Sequence, residues 1–290
     1  MSGPVPLSVP ARVTARLPRS VARRREAIEG YVAITPWLIG FFALVLGPLL
    51  ASAYLSLTTY EIVRPPVFSG LDNYRQMAAD RLFWQALKVT ATYVAASVPM
   101  GMVLAFAVAL LMNQKVMFLG LFRTIYYMPN LVPIVASSIL WLWMFSPDFG
   151  LFNYLLTQLG VHDPPLWLSS TRWALPALVI MSLWNVGAPM LIYLAGLQGI
   201  PTELYEAAQI DGANAVNRFR HITLPQMTSV LFFNLIMGII ASWQAFAPAY
   251  IMTRGGPRYA TLFYVLHLYF NAFQYFRMGY ASALAWRPSS

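Results

Sequence analysis

The most informative residues of this chain form one polar segment between two long apolar stretches. Residues 201 to 225, PTELYEAAQIDGANAVNRFRHITLP, hold Glu203, Glu206, Asp211, Arg218, Arg220 and His221. A segment this polar is too costly for the lipid interior, so it lies at one membrane face. Pro201 is well placed to start a helix that runs to about Ile210. The adjacent Ala207 and Ala208 keep its surface flat, so another backbone can approach closely. Asp211-Gly212 signals a turn, because glycine takes positive φ without steric penalty. Asn214 can cap a second helix. Ala215, Phe219 and Ile222 then fall on one face of it, and Leu224-Pro225 leads back into the membrane. The expected product is a helix–turn–helix knob held at both ends by spans. On the residues alone, an ordinary inter-span loop folded on itself is an equal reading.

No catalytic set accompanies it. His162, His221 and His267 are far apart, and no HExxH, GxSxG or GxxxxGK[ST] pattern occurs. Without a phosphate loop, ATP hydrolysis is not expected here. Asp211 has no second carboxylate at metal-binding spacing, so turn chemistry accounts for it better than a metal does. The chain has no Cys, which excludes thiol chemistry. The other informative polar residues lie inside apolar runs: Trp184 and Asn185, then Asn234, Ser242, Trp243 and Gln244. Polar groups at such positions face a cavity or another helix. Indoles that stack on a pyranose, with amides and hydroxyls that bond its hydroxyl groups, suit a sugar. Helix–helix packing and interfacial aromatic anchoring are the alternatives for each.

The elements that position these residues follow from composition. Of 290 residues, 59% are hydrophobic and 10% are charged, and mean hydropathy is +0.59. A soluble domain carries about 25% charged residues. Asp, Glu, Lys and Arg are absent from 30–60, 89–114, 124–147 and 173–202, and between Arg220 and Arg254 His221 alone titrates near neutrality. Each run exceeds the ~20 residues needed to cross hydrocarbon, and such segments must be helical. The reading is an all-α polytopic bundle with spans near Tyr31–Leu57, Ala86–Met112, Thr124–Phe145, Ala174–Leu197 and Pro225–Met252. Gly47-Pro48 kinks the first, Pro129 and Pro133 break or delay the third, and Pro189 lies in the fourth. Residues 58–85 and 146–173 read as external loops, and Lys115 and Arg123 as a cytoplasmic turn. Met278–Trp286 resembles the opening of a sixth span, nine residues long. The expectation is five complete spans and a truncated sixth, from a shortened or shifted reading frame or a five-span form.

The net charge is +9, but six of the 19 basic residues (Arg12, Arg16, Arg19, Arg23, Arg24, Arg25) precede the first span. That cluster marks a cytoplasmic amino terminus in a multi-pass membrane protein, not a nucleic-acid surface. Arg254, Arg258 and Arg277 fall outside by alternation, against that rule. Residues 1–28 form the basic tail, 29–286 the transmembrane domain with its insert at 201–225, and 287–290 a short end.

The insert resembles the signature loop of bacterial ABC importer permeases: E-A-A, three residues, G, nine residues, I-x-L-P. Glu206, Ala207, Ala208, Gly212, Ile222, Leu224 and Pro225 match it in type and spacing. FRTIYYMPNLVPIVASSILWLWMFSPDFGLF (122–152), LWNVGAPMLIYLAGLQGIP (183–201), the T-x-G-G-P turn at 253–257 and MGYASALAW (278–286) are similar to the carbohydrate branch, which includes maltose and glycerol-phosphate transporters. The resemblance covers about residues 30 to 286. It implies the maltose-type permease fold in a bacterial inner membrane. It also implies a second related permease, two copies of a separate ATPase that hydrolyses ATP, and an extracytoplasmic solute-binding protein. This subunit would bind no cofactor and no nucleic acid; its other contact is membrane lipid. Glu206, Ala207, Ala208, Asp211, Gly212, Ile222, Leu224 and Pro225 would form the ATPase-coupling site, and Trp184, Asn185, Asn234, Ser242 and Gln244 the substrate pathway. Ala241 and Ala245 replace bulkier or amide residues that contact maltose, which points to a different or smaller sugar. Rival readings are import of a polyol, a glycerophosphodiester or an amino compound, and a remnant that inserts without assembling. A membrane transferase would need acidic clusters at a membrane face, which the sequence lacks.

Overall fold

The computed structural model describes residues 19–114 and 117–286. Residues 1–18, Lys115 and residues 287–290 lie outside them, as does most of the expected basic tail. From Arg19 the chain is already helical. α1 (Arg19–Gly40) passes through a π-helical stretch (Phe41–Leu46) into α2 (Gly47–Ser56). Glu26–Ser56 forms one apolar helix of 31 residues, about 47 Å long at 1.5 Å per residue. The π step has a visible cause. Pro48 has no N–H to give, and just ahead of it the Gly47 N–H reaches back to the Phe42 carbonyl. The same device recurs at Phe219–Thr223, ahead of Pro225, where the Leu224 N–H reaches Phe219 O.

The loop between the first two spans carries the one sheet among the described residues. β1 (Thr58–Thr59) pairs antiparallel with β2 (Val67–Phe68), and α3 (Asp72–Ala79) follows. Asp80 then caps α4 (Arg81–Met112), its Oδ1 accepting the Leu82 N–H at 2.8 Å. This cap starts the second span at Arg81, five residues ahead of the expected Ala86.

Three predicted spans are bent. α5 (Leu119–Tyr127) with the 3₁₀ turn Met128–Leu131 meets α6 (Ile134–Met144) at 96°. The cause is Pro133, which forces Val132 into extended backbone (ψ 126°). Thr124–Phe145 is therefore not a single passage: one arm runs across the other. α7 (Leu151–Gln158) lies in the loop between the third and fourth spans. α8 (Ala174–Ser182), a 3₁₀ turn (Leu183–Asn185) and α9 (Gly187–Gln198) form the fourth span, bent by 48°. Pro189 falls in the first turn of α9, where its missing N–H costs nothing. The insert comprises α10 (Thr202–Ile210), α11 (Ala215–Arg218), the π stretch Phe219–Thr223 and α12 (Leu224–Gln226). Residues 215–226 form one arm bent by 62° from α13 (Thr228–Trp243). The fifth span thus starts at Thr228 rather than Pro225 and ends at Trp243 rather than Met252. A π stretch (Ala249–Thr253), α14 (Tyr264–Tyr269), another π stretch (Phe270–Gln274) and α15 (Met278–Trp286) complete the chain.

α4 is the axis of the packing. Near its start, Ala86, Val89 and Tyr93 join Trp141, Phe145, Leu178 and Phe263 in one buried cluster. Near its end, Ala105, Phe106, Ala109 and Met112 join Met190, Tyr193, Leu197 and Met227 in a second. α15 docks on α2 and α3: Trp286 Nε1 donates to Ser52 Oγ at 3.0 Å and Tyr280 OH to Asp80 Oδ2 at 2.8 Å. The loop between the third and fourth spans is pinned by Trp167 Nε1 donating to Asn153 Oδ1 at 2.7 Å and by stacked Phe145 and Phe152 rings. Large apolar side chains such as Leu44 and Val103 stay exposed along the spans, as lipid-facing surface requires.

Candidate coupling knob and substrate cavity

The insert folds as a compact knob. Pro201 precedes α10 in extended backbone (ψ 131°), and Gly212 ends it in the left-handed region at φ +75°. The Ala213 N–H bonds Ala208 O at 2.8 Å and the Gly212 N–H bonds Gln209 O at 3.1 Å. These two bonds satisfy carbonyls that the end of a helix leaves open. Asn214 then caps α11, its Oδ1 accepting the Asn217 N–H at 2.8 Å. Tyr205 OH and Thr223 Oγ1, 2.9 Å apart, tie the two arms together. Phe219 faces Phe106 of α4 with ring centroids 6.2 Å apart, and Tyr205 and Ile222 pack on the cluster around Met112.

The expected coupling residues divide into two groups. Glu206, Ala207, Asp211 and Gly212 are exposed on the knob and Ala208 is half-buried. Ile222 turns inward and anchors the knob, while Leu224 and Pro225 stay exposed beside it. Ala215 is exposed, Phe219 keeps 37% of its surface exposed while reaching Phe106, and Ile222 is half-buried, so the three expected positions do not form one buried face. Two side chains not singled out above are informative. Ile210 is 87% exposed and Val216 71% exposed, one on each side of the Gly212 turn. Their sequence signal is an apolar residue on each flank of a polar turn.

At the other end of the spans that flank the insert lies a cavity of about 540 Å³, within the range of small-molecule sites. Tyr93, Ser182, Asn185, Ser242 and Gln244 line it. It adjoins a smaller one of about 140 Å³ lined by Ser97, Asn185, Tyr193, Asn234 and Ser242. Asn185, Asn234, Ser242 and Gln244 are thus brought together as the sequence suggests. Trp184 is not with them: its ring packs 5.9 Å from Trp141, because the 3₁₀ turn sends neighbours 184 and 185 to different sides.

Several lining residues went unmarked in the sequence. Tyr93 and Ser97 are four apart on α4, a spacing that places them on one helical face. The Tyr193 OH group is buried with no hydrogen-bond partner among the described residues; it lines the smaller cavity together with Ser97, whose hydroxyl interacts with Tyr93. Buried polar groups are nearly always paired, so an open one facing a cavity can take a hydroxyl or a water there. Among the described residues, no charged side chain lines either cavity.

The breaks of the third and fourth spans support this cavity. Gly187 is obligatory at the break, since a Cβ there would meet Tyr126 O at 2.3 Å. With its amide turned to suit both neighbours, Asn130 donates to the Asn185 carbonyl at 3.3 Å and accepts the Ala188 N–H at 3.0 Å. Irregular backbone at membrane depth is tolerated where protein buries it or where it lines a cavity, and here it does both.

The description "binding-protein-dependent transport system inner membrane component" fits residues 97–285, which include both sites. A probable ABC transporter permease protein of Bacillus subtilis, YesP, is 43% identical over 272 residues, covering 92% of this chain and 88% of its own length. This chain belongs to the ABC importer permeases. The trehalose/maltose transport system permease MalF of Thermococcus litoralis is 37% identical over 264 residues, covering 90% of this permease and 87% of that protein. The lactose transport system permease LacF of Rhizobium radiobacter is 35% identical over 262 residues, covering 89% and 87%. A bacterial ABC transporter that imports the acidic polysaccharide alginate has a chain with the same fold, at TM-score 0.80 and 23% identity over 92% of each chain. As a permease component, the chain is a membrane transport subunit rather than an enzyme.

Proposed function

We propose that this permease imports a neutral sugar or small oligosaccharide into the cytoplasm. The observation that carries the reading is the cavity lining: a largely apolar wall set with hydroxyls, amides and the rings of Tyr93, Phe246 and Tyr193, and no charged side chain among the described residues. A phosphate- or carboxylate-bearing solute would call for a buried cation, which is the better-paired arrangement for a desolvated anion. Relatives named for trehalose and maltose or for lactose support the same class. The coupling proposal rests on the knob. Its exposed Glu206 carboxylate, flat Ala207-Ala208 surface and apolar Ile210 and Val216 suit a cleft on a separate ATPase, present in two copies beneath this chain and a second permease. That arrangement puts the knob and the amino terminus in the cytoplasm and the solute-binding protein on the opposite face.

The test is uptake of labelled solutes by cells carrying or lacking this gene. Loss confined to neutral saccharides is expected; loss confined to a charged solute would sink the substrate reading. Glu206→Ala should cut uptake and ATPase co-purification while membrane insertion stays normal, and unchanged uptake and recovery would remove Glu206 from the docking surface.

A further inference from the structure

At the first turns of α4 lies a second groove, of about 750 Å³, that the transport reading does not use. Arg81, Trp84, Gln85 and Lys88 of α4 line it with Arg258 and Tyr259 from the turn after the fifth span. Arg81 and Lys88 are seven residues apart, two turns along one helical face. None of the three cations has an ion-pair partner among the described residues. Three unpaired positive charges around one concavity attract an anion.

The turn is built to hold its cation there. Arg258 and Tyr259 both adopt positive φ, 47° and 64°, a region that non-glycine residues occupy only when their surroundings enforce it. The enforcing contacts are visible: Thr253 and Thr261 hydroxyls lie 2.7 Å apart, Thr261 Oγ1 donates to Gly256 O at 2.7 Å, and Gln85 Nε2 donates to Tyr259 O at 3.4 Å.

The groove's level in the membrane follows from α4. Phe106, which touches the knob, lies 25 residues beyond Arg81, or about 37 Å along the helix, more than the ~30 Å hydrocarbon thickness. The groove is therefore at the face opposite the knob. Trp84 and Tyr259, 52% and 51% exposed, have the amphipathic rings that settle at the headgroup level. Below Lys88 the exposed stripe of α4 continues through Thr92, Ala95, Pro99 and Val103, small or apolar residues open to the surroundings. A soluble anion has no use for that stripe, whereas an acyl chain lies along it.

We propose that this groove binds the phosphate headgroup of an anionic phospholipid, with its acyl chains along the open stripe of α4. The leaflet is the outer one if the knob is cytoplasmic as proposed above; the binding itself does not depend on that orientation. Such binding explains why basic residues persist on a face that ordinarily carries few of them.

The experiment is native mass spectrometry of the full-length permease, purified with its partners and titrated with dioleoylphosphatidylglycerol or dioleoylphosphatidylcholine. The wild type should retain phosphatidylglycerol saturably and discriminate against phosphatidylcholine. Removing a cation near a membrane surface weakens lipid attraction about fivefold, so R81Q, K88Q and R258Q should each show a loss of that size and the triple variant a far larger one. R254Q changes an exposed arginine outside the lining and should retain the lipid, which separates loss of the site from loss of the fold. Equal retention by wild type and triple variant overturns the site. Saturable binding of inorganic phosphate or galacturonate by the wild type without phosphatidylglycerol retention overturns the lipid as its occupant.

Discussion

Gly212 offers the sharpest test of how the knob is built. It sits at φ +75°, and no atom lies within 4 Å of the position its Cβ would take. A side chain there would therefore meet no neighbour, and its cost is purely conformational. For an L-residue the left-handed region costs roughly 1–2 kcal/mol. A β-branched residue fares worse there, while asparagine is tolerated almost as glycine is. The two bonds that close α10, Ala213 N–H to Ala208 O at 2.8 Å and Gly212 N–H to Gln209 O at 3.1 Å, exist only in this conformation. A change of 1–2 kcal/mol shifts a local folding equilibrium about 5- to 30-fold, and a small exposed element has little stability in reserve. Uptake by membrane vesicles energised with ATP, with co-purification of the ATPase, reads the outcome. Gly212→Asn should stay close to wild type, Gly212→Ala should fall several-fold, and Gly212→Val should fall furthest, all with normal insertion. If Asn damages transport as much as Val does, backbone conformation is not what Gly212 supplies. If Val is silent, the turn has no part in coupling.

The cavity and its supports give further expectations. Gly187→Ala places a methyl 2.3 Å from Tyr126 O and 2.7 Å from the Tyr127 Cα; backbone cannot yield as a side chain does, so a loss of 1–3 kcal/mol or more is expected, and an unchanged thermal midpoint would contradict it. Tyr193→Phe removes a buried hydroxyl that lacks a partner among the described residues, and Ser97→Ala one that interacts only with Tyr93 beside the same cavity. In Tyr193→Phe stability should stay level or rise, because an unsatisfied group is lost, while in both KM for the sugar rises a few-fold; unchanged KM would return both residues to packing. His267, outside the spans, is buried, and that burial lowers its pKa even though the Asp80 carboxylate 3.5 Å away acts to raise it. The unfolded chain then takes up a proton first as pH falls below about 6.5. Stability is therefore full above that value and declines as pH drops toward the folded pKa. Thermal midpoints from pH 8 to 5 should show this decline, and His267→Gln should flatten it.

What could be read in the sequence was whatever depends on neighbours in the chain. Pro201, the Asp211-Gly212 turn and the Asn214 cap are local signals, and each stands where the residue types require. Span existence followed from apolar length in the same way. Span ends and bends did not, because they depend on contacts between spans. Nothing local in Thr124–Phe145 says that its two arms meet at 96°, since the sharpness of the bend depends on α5 lying against the break at Gly187. Trp184 and Asn185 looked equivalent as polar positions in one span, yet a single 3₁₀ turn separates them into an aromatic cluster and a cavity. Tyr193 and Ser97 were invisible because an isolated hydroxyl in an apolar helix has many uses, and only its place in a cavity wall marks it.

On the proposed coupling, the same breaks give a push on the knob a route to the cavity. α9, twelve residues or about 18 Å long, joins the break beside Asn185 to Pro201 at the foot of the knob. α13, sixteen residues or about 24 Å, joins the bend at Met227 to Ser242 and Gln244. Both helices flanking the insert therefore end at the cavity, and each has a bend at one end, 48° for the fourth span and 62° for the fifth. Unbroken helices are stiff over these lengths, so motion concentrates where hydrogen bonding is already interrupted. On the proposed coupling, displacement of the knob carries α9 and α13 as two levers and changes the spacing of Asn185, Ser242 and Gln244. The bent spans are then not defects of an otherwise regular bundle. A straight fourth span would connect knob to loop without altering the cavity, and a straight fifth would let the knob move only with the whole helix. Ile222 and Phe219, which turn inward against the end of α4, fix the point about which such levers would act.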